Sequence, residues 1–313
     1  MLKIGVQTQN AIDDNCPEVG FNMIHNAGFD CVDFSLHSYL SNTDIYRNKC
    51  SELFDKSMAD LERYFAPHKS AAKAAGITVH QMHMPYPMYS MEADKAFNDY
   101  LSKNVAYKSL AICAFLECRY IVIHGFNLTR YLGTEENEWQ YTENFIDKLA
   151  PQLKELGITA CIENIYSSIG GHLIEGSCCN ARKAAERIDR LNDKYQAEIL
   201  GFCFDTGHAN LLGLDFERFI TDLGDRLKIL HIHDNDGIRD LHQIPFTFSR
   251  SRENCTSTDW TGFIKGLRNV GFEGVLNFET GPVLNSFPIE LKRDALDMIA
   301  KIGKYFSNEI TKE

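Results

Sequence analysis

The chain carries eleven histidines, and six of them close short apolar runs: His80, His83, His124, His208, His231 and His233. Carboxylates close other such runs. Glu163 follows Cys161-Ile162, Asp205 follows Gly201-Phe202-Cys203-Phe204, and Glu279 follows Asn277-Phe278. Imidazole nitrogens with carboxylate oxygens are the donor set of Mn²⁺, Zn²⁺, Co²⁺ or Mg²⁺. Three carboxylates buried together without a cation repel one another at low dielectric, and a divalent metal removes that cost. Glu163, Asp205, His231 and Glu279 are therefore read as one metal-binding set. A single His or Glu at a strand end is more often a rim or capping residue. Six successive strands ending in such groups carry the reading. His80 and His233 are assigned structural roles, as are the strand cysteines and Trp260, read as opening a helix that closes the barrel.

These residues need a scaffold that gathers strand ends. Eight β-rich runs are predicted: Lys3–Gln9, Cys31–His37, Thr78–Pro85, Tyr120–Phe126, Thr159–Ile165, Gly201–His208, Leu227–Asp234 and Gly274–Thr280. Between them, apolar residues recur at helical spacing over Glu18–Ala27, Phe54–Ala75, Glu92–Cys118, Glu136–Leu156, Asn180–Tyr195, Phe216–Leu223, Trp260–Val270 and Pro288–Phe306. Gly28, Gly76, Gly157 and Gly271 each precede a strand and read as left-handed helix terminators. Eight strand–helix units predict an α/β fold, a single-domain (β/α)8 TIM barrel over residues 1–313. An open doubly wound sheet is disfavoured because no GxGxxG follows the first run. In the barrel, active sites lie at the carboxyl ends of the strands. Strand side chains alternate, so His231 shares a face with His233, and His83 with Gln81. The stretch Gly237–Thr258 is long and aperiodic, as functional loops often are.

Bulk properties narrow the partners. The 32 basic and 43 acidic residues leave a net charge of −11, which argues against a nucleic-acid surface. Ten cysteines include no CxxC pair, so reduced thiols and a cytoplasmic location are expected. No signal pattern opens the chain, and no apolar run approaches the ~18–20 residues needed for a membrane span. Self-association into a homo-oligomer stays open.

The strings HMPYP, VIHG, CIENI, GFCFDTGHANL, LKILHIHDNDG followed by DLHQIP, and VLNFET together resemble the xylose isomerase-like barrel superfamily, in its sugar phosphate isomerase/epimerase and endonuclease IV branch. The resemblance runs from the third strand to the eighth. It implies one divalent metal on Glu163, Asp205, His231 and Glu279, with His208 contacting substrate. In the endonuclease members a three-zinc cluster adds ligands that fall here on His83, His124, His208, Asp240 and His242. All five are present, so ligand identity alone does not separate the two activities.

Three features favour the sugar enzyme: the acidic charge, the aromatic HMPYPMY loop that could stack on a sugar, and the small basic content of Gly237–Thr258 (Arg239, Arg250 and Arg252). The implied chemistry is proton transfer beside a carbonyl, with the metal as Lewis acid and Glu163 and Glu279 as the acid/base pair. Arg239 is a candidate for a substrate hydroxyl or phosphate, although it stands slightly later than the corresponding epimerase arginine, near whose place Gly237 sits. The alternatives are an apurinic/apyrimidinic endonuclease with a multi-zinc site, a polyol-ketone dehydratase, and a non-catalytic sugar-binding barrel.

Overall fold

The computed structural model describes residues 1–128, 134–248 and 258–312. Arg250 and Arg252 lie outside the described residues. Eight strands pair in parallel: β1 (Lys3–Gln7), β2 (Cys31–Ser35), β3 (Thr78–His83), β4 (Tyr120–Ile123), β5 (Thr159–Glu163), β8 (Leu200–Asp205), β9 (Leu227–His231) and β10 (Val275–Phe278). β10 pairs with β1, and a bridge between Ile232 and Phe278 joins β9 to β10. Ile232 N–H donates to Asn277 O at 2.9 Å and Glu279 N–H to Ile232 O at 3.1 Å, so the ring closes. The strands follow chain order around it, as a (β/α)8 barrel requires.

The outer layer contains α1 (Pro17–Ala27), α2 (Asn42–Tyr46), α3 (Met58–Ala74), α4 (Lys95–Tyr100), α5 (Ala106–Phe115), α6 (Glu135–Leu156) and α7 (Ala181–Tyr195). It continues with α9 (Phe216–Leu223), α10 (Trp260–Asn269) and α12 (Ile289–Thr311); the short α8 (Thr206–Leu211) and α11 (Gly281–Ser286) follow β8 and β10 directly. Helix starts follow capping chemistry: Ser57, Thr134, Asn180 and Asp215 each accept an N–H from the first turn. The four predicted terminator glycines all adopt positive φ, from 60° to 94°. Phe21, Phe34, Phe65, Phe204 and Phe306 fill the space between strands and helices. Trp260 is buried against Phe306 at 5.2 Å between ring centroids, where it joins α10 to α12.

Two expected elements are built differently, and one element is added. The predicted strand Gly201–His208 stops at Asp205, because the Asp205 side chain caps α8 and draws residues 206–208 into a helix. The predicted helix Glu92–Cys118 is α4 and α5 joined by a π-turn over Leu101–Val105. An antiparallel hairpin, β6 (Tyr166–Ile169) with β7 (His172–Glu175), rises after β5. Its Gly170-Gly171 turn is a hairpin signal in the sequence that the barrel periodicity overshadowed.

Candidate metal centre

The carboxyl ends of six strands deliver buried polar groups to one mouth of the barrel. Asp205 ends β8, and both its oxygens are engaged. Oδ1 accepts the His208 N–H at 2.6 Å as the cap of α8, while Oδ2 lies 3.0 Å from His233 Nε2. Asn164 clips the same strand end to β5, donating to Asp205 O at 2.9 Å and accepting from Asp205 N at 2.8 Å. Glu163, the residue before Asn164, is thereby held beside Asp205. Glu279 follows β10 and accepts from Gln7 Nε2 at 2.7 Å.

His231, at the end of β9, is the hub. Its Nδ1 lies 3.1 Å from Glu163 Oε1, 3.4 Å from Glu279 Oε2 and 3.9 Å from Asp205 Oδ2. The four residues of the predicted set therefore converge on one point, and all four are buried. Two further groups adjoin it. Glu163 Oε2 lies 2.9 Å from His124 Nε2 and 3.8 Å from His83 Nε2. On the other side Asp240 Oδ2 stands 3.3 Å from both His208 Nε2 and His242 Nε2. His208 Nδ1 returns to Glu163 Oε1 at 3.3 Å, which links that outer group to the first.

Not every residue singled out in the sequence joins this cluster. His80 sits at the opposite end of the barrel, among Lys3, Tyr120 and Phe272. It is the extra residue of a bulge in the β2–β3 pairing, where the register jumps from Val79 to Gln81. Arg239 is 71% exposed, and its guanidinium is held by Asp236 at 2.7 and 3.1 Å. His233, assigned a structural role, is fully buried and stacks on His242 at 3.9 Å. Its ring also explains Gly207. A Cβ there would stand 1.9 Å from His233 Cε1, so the glycine serves close approach rather than a turn.

The sequence reading passed over Asp33, Gln7 and Asn277, all buried beneath or beside the cluster. Asp33 was legible as the one charged residue inside the apolar run Cys31-Val32-Asp33-Phe34. Tyr86, in the HMPYP string, packs over His124 at 4.3 Å and stacks on His37 at 5.1 Å. Tyr166 of the hairpin meets the edge of His208 at 5.3 Å.

Opposite charges govern the electrostatics of the cluster. Burial alone would raise the Glu163 carboxyl, but His231 and His124 hold it well below the usual carboxylate range. Burial disfavours the charged imidazole of His231, yet Cys203, Glu279 and Glu163 raise it well above its ordinary value. The same competition raises His208 well above its ordinary value, through Asp205 and Asp240. His242 is raised to about 9 by Glu279 and Asp240 against the burial cost. Carboxylates and imidazoles thus offset one another's burial cost across the cluster. Among the described residues, His233 Nδ1 and Asp240 Oδ1 are buried with no hydrogen-bond partner. Buried imidazole and carboxylate atoms left unpartnered beside the cluster fit divalent-cation ligation.

The profile of the xylose isomerase-like TIM barrel family matches residues 21–302, and the chain belongs to that family. Among solved structures, the chain resembles the 3-keto-D-glucoside 4-epimerase YcjR from E. coli at 16% identity. The match covers 96% of this chain and 100% of that one, with a TM-score of 0.66. A D-psicose 3-epimerase crystallised with D-fructose aligns at 16% identity over 99% of each chain, TM-score 0.65. The IolI protein with a bound zinc atom aligns at 15% identity over 100% of both chains, TM-score 0.66. By sequence, an uncharacterized Sinorhizobium fredii protein, y4fM, is 33% identical over 101 residues, 32% of this chain and 30% of that relative. Among the described residues no helix is long and apolar enough to cross a membrane.

Proposed function

We propose that the protein is a divalent-metal-dependent isomerase or epimerase of a small carbohydrate, working by proton transfer next to a carbonyl. The observation that carries this reading is the convergence of Glu163, Asp205 and Glu279 on His231 Nδ1 within 3.1–3.9 Å. A divalent cation held by these four residues supplies Lewis-acid polarisation of substrate oxygens. Glu163 and Glu279 then act as the proton-transferring pair. Gln7 orients Glu279 through Oε1. His208, wedged between Glu163 and Asp240, presents its ring to a substrate oxygen. Tyr86 closes one side of the mouth as an apolar platform for a sugar face. Arg239 reaches a substrate only by exchanging Asp236 for a hydroxyl or phosphate. The epimerases and IolI among the structural relatives support a carbohydrate substrate.

A second reading rests on a specific observation: two additional groups, His83–His124 on Glu163 and His208–Asp240–His242, flank the central one. They would hold further cations and suit hydrolysis of a phosphodiester at an abasic site. One experiment separates the two. Metal analysis of purified protein is followed by solvent-deuterium exchange over a ketose panel and by incubation with an abasic duplex. One cation per chain with C–H exchange supports the sugar reading. Three zinc per chain with strand cleavage and no exchange overturns it.

A further inference from the structure

We propose that Asp33 is the positioning residue that fixes which nitrogen of His231 faces the cluster. The inference rests on the metal reading above. Asp33 lies on β2 inside the barrel and is fully buried. Its Oδ2 stands 3.0 Å from His231 Nε2. Two side-chain amides donate to the same oxygen, Gln81 Nε2 at 3.3 Å and Asn277 Nδ2 at 3.4 Å. Gln81 Nε2 also donates to the carbonyl of Leu230, the residue before His231, which settles that its amide presents hydrogens here.

An oxygen that already accepts from two amides also accepts from the third neighbour, so the Nε2 of His231 carries the hydrogen. A neutral imidazole protonated there has its lone pair on Nδ1. Nδ1 is the atom that Glu163, Glu279 and Asp205 surround. With a cation in the cluster, Asp33 would thus point a bare nitrogen at the place where three carboxylates converge, the arrangement that orients histidine ligands from behind.

The fold makes room for this contact. The β2–β3 bulge sets Asp33 opposite Gln81 instead of His80. Gly5 clears space for the Asn277 amide, since a Cβ there would lie 2.7 Å from Asn277 Oδ1. A structural network alone would spread its donors over both carboxylate oxygens. Here all three gather on Oδ2, while Oδ1 is buried with no partner among the described residues. A buried carboxylate is costly where an apolar residue would pack, and the contact with His231 accounts for it.

The test measures zinc affinity by competition with a chelator and reads the imidazole of His231 by long-range proton–nitrogen NMR on the zinc-loaded chain. The wild type is expected to show hydrogen on Nε2 of His231. Asp33→Asn is expected to bind zinc about 10- to 100-fold more weakly and to lose the slowly exchanging Nε2–H signal. Asn277→Ala removes one donor from the same oxygen and is expected to keep both signal and affinity. Hydrogen on Nδ1 in the wild type overturns the proposal, and does so even if Asp33→Asn fails to fold. So does wild-type affinity in Asp33→Asn, or an equal loss in Asn277→Ala. A wild-type chain that takes up no divalent cation overturns the metal reading and this inference together, whereas normal uptake by Asp33→Asn overturns the role of Asp33 alone.

Discussion

Directly below the cluster, the two halves of the barrel interior are built differently. Under Glu163, Asp205 and His124, strands β4, β5, β8 and β9 contribute Val122, Cys161, Cys203 and Ile229, a small apolar group separate from the main core. Across the barrel, β2, β3 and β10 contribute Asp33, Gln81 and Asn277, joined by hydrogen bonds, and Gly5 of β1 leaves room for them. The first half supplies packing under the cluster. The second supplies direction, since its hydrogen bonds end on His231. A ligand set can thus rest on generic apolar filler where the backbone alone aims the side chain. It needs a polar underlayer where a ring with two chemically distinct nitrogens must present one of them.

That contrast orders the expected effects of substitution. Glu163 touches His231, His124 and His208, so it joins all three groups. Glu163→Gln is expected to reduce solvent-deuterium exchange by about 10²–10⁴-fold, with metal content falling in parallel; an active Gln variant would remove Glu163 from the chemistry. In the apolar half, Ile229→Ala is expected to cost about 2–5 kcal/mol of stability through the cavity it leaves. Its metal affinity stays near wild type once folded, as urea melts and chelator competition can check. Equal loss of affinity would dissolve the distinction between the halves.

Gly207→Ala is expected to cost about 1–3 kcal/mol, because His233 must move away from the new Cβ and release Asp205. Thermal melts with and without zinc measure this, and a silent substitution would show that His233 holds nothing. The mildest effect is on pH dependence. His231, His208 and His242 are raised, so on the proposed function cation uptake is expected to displace protons. Affinity should climb with pH towards the folded His242 value of about 9, with proton release detectable in weak buffer. The sign for stability is opposite. A histidine raised from 6.5 to about 9 stabilises the metal-free fold fully below 6.5, and that contribution disappears as pH rises through about 9. Titration calorimetry at several pH values checks the first effect, and melts of chelator-treated protein the second.

The sequence alone determined the eight strand–helix units, their terminating glycines and the polar residue types at the strand ends. These are local properties: apolar periodicity, left-handed caps and polar groups that interrupt an apolar run. It also pointed to Glu163, Asp205, His231 and Glu279, since the barrel sends all strand ends to one mouth. Tertiary structure decided the rest. That Asp205 is both a helix cap and a member of the cluster depends on its two oxygens facing different partners. That His80 faces the far end depends on a one-residue bulge, which shifts the pairing and cannot be counted from alternation. The need for glycine at 207 shows only once His233, from the next strand, is placed against it. Asp33, Gln81 and Asn277 come from three different strands, and no spacing along the chain relates them. Their link to His231 exists only because closing the barrel brings side chains about 200 residues apart into hydrogen-bonding distance, 198 residues between Asp33 and His231.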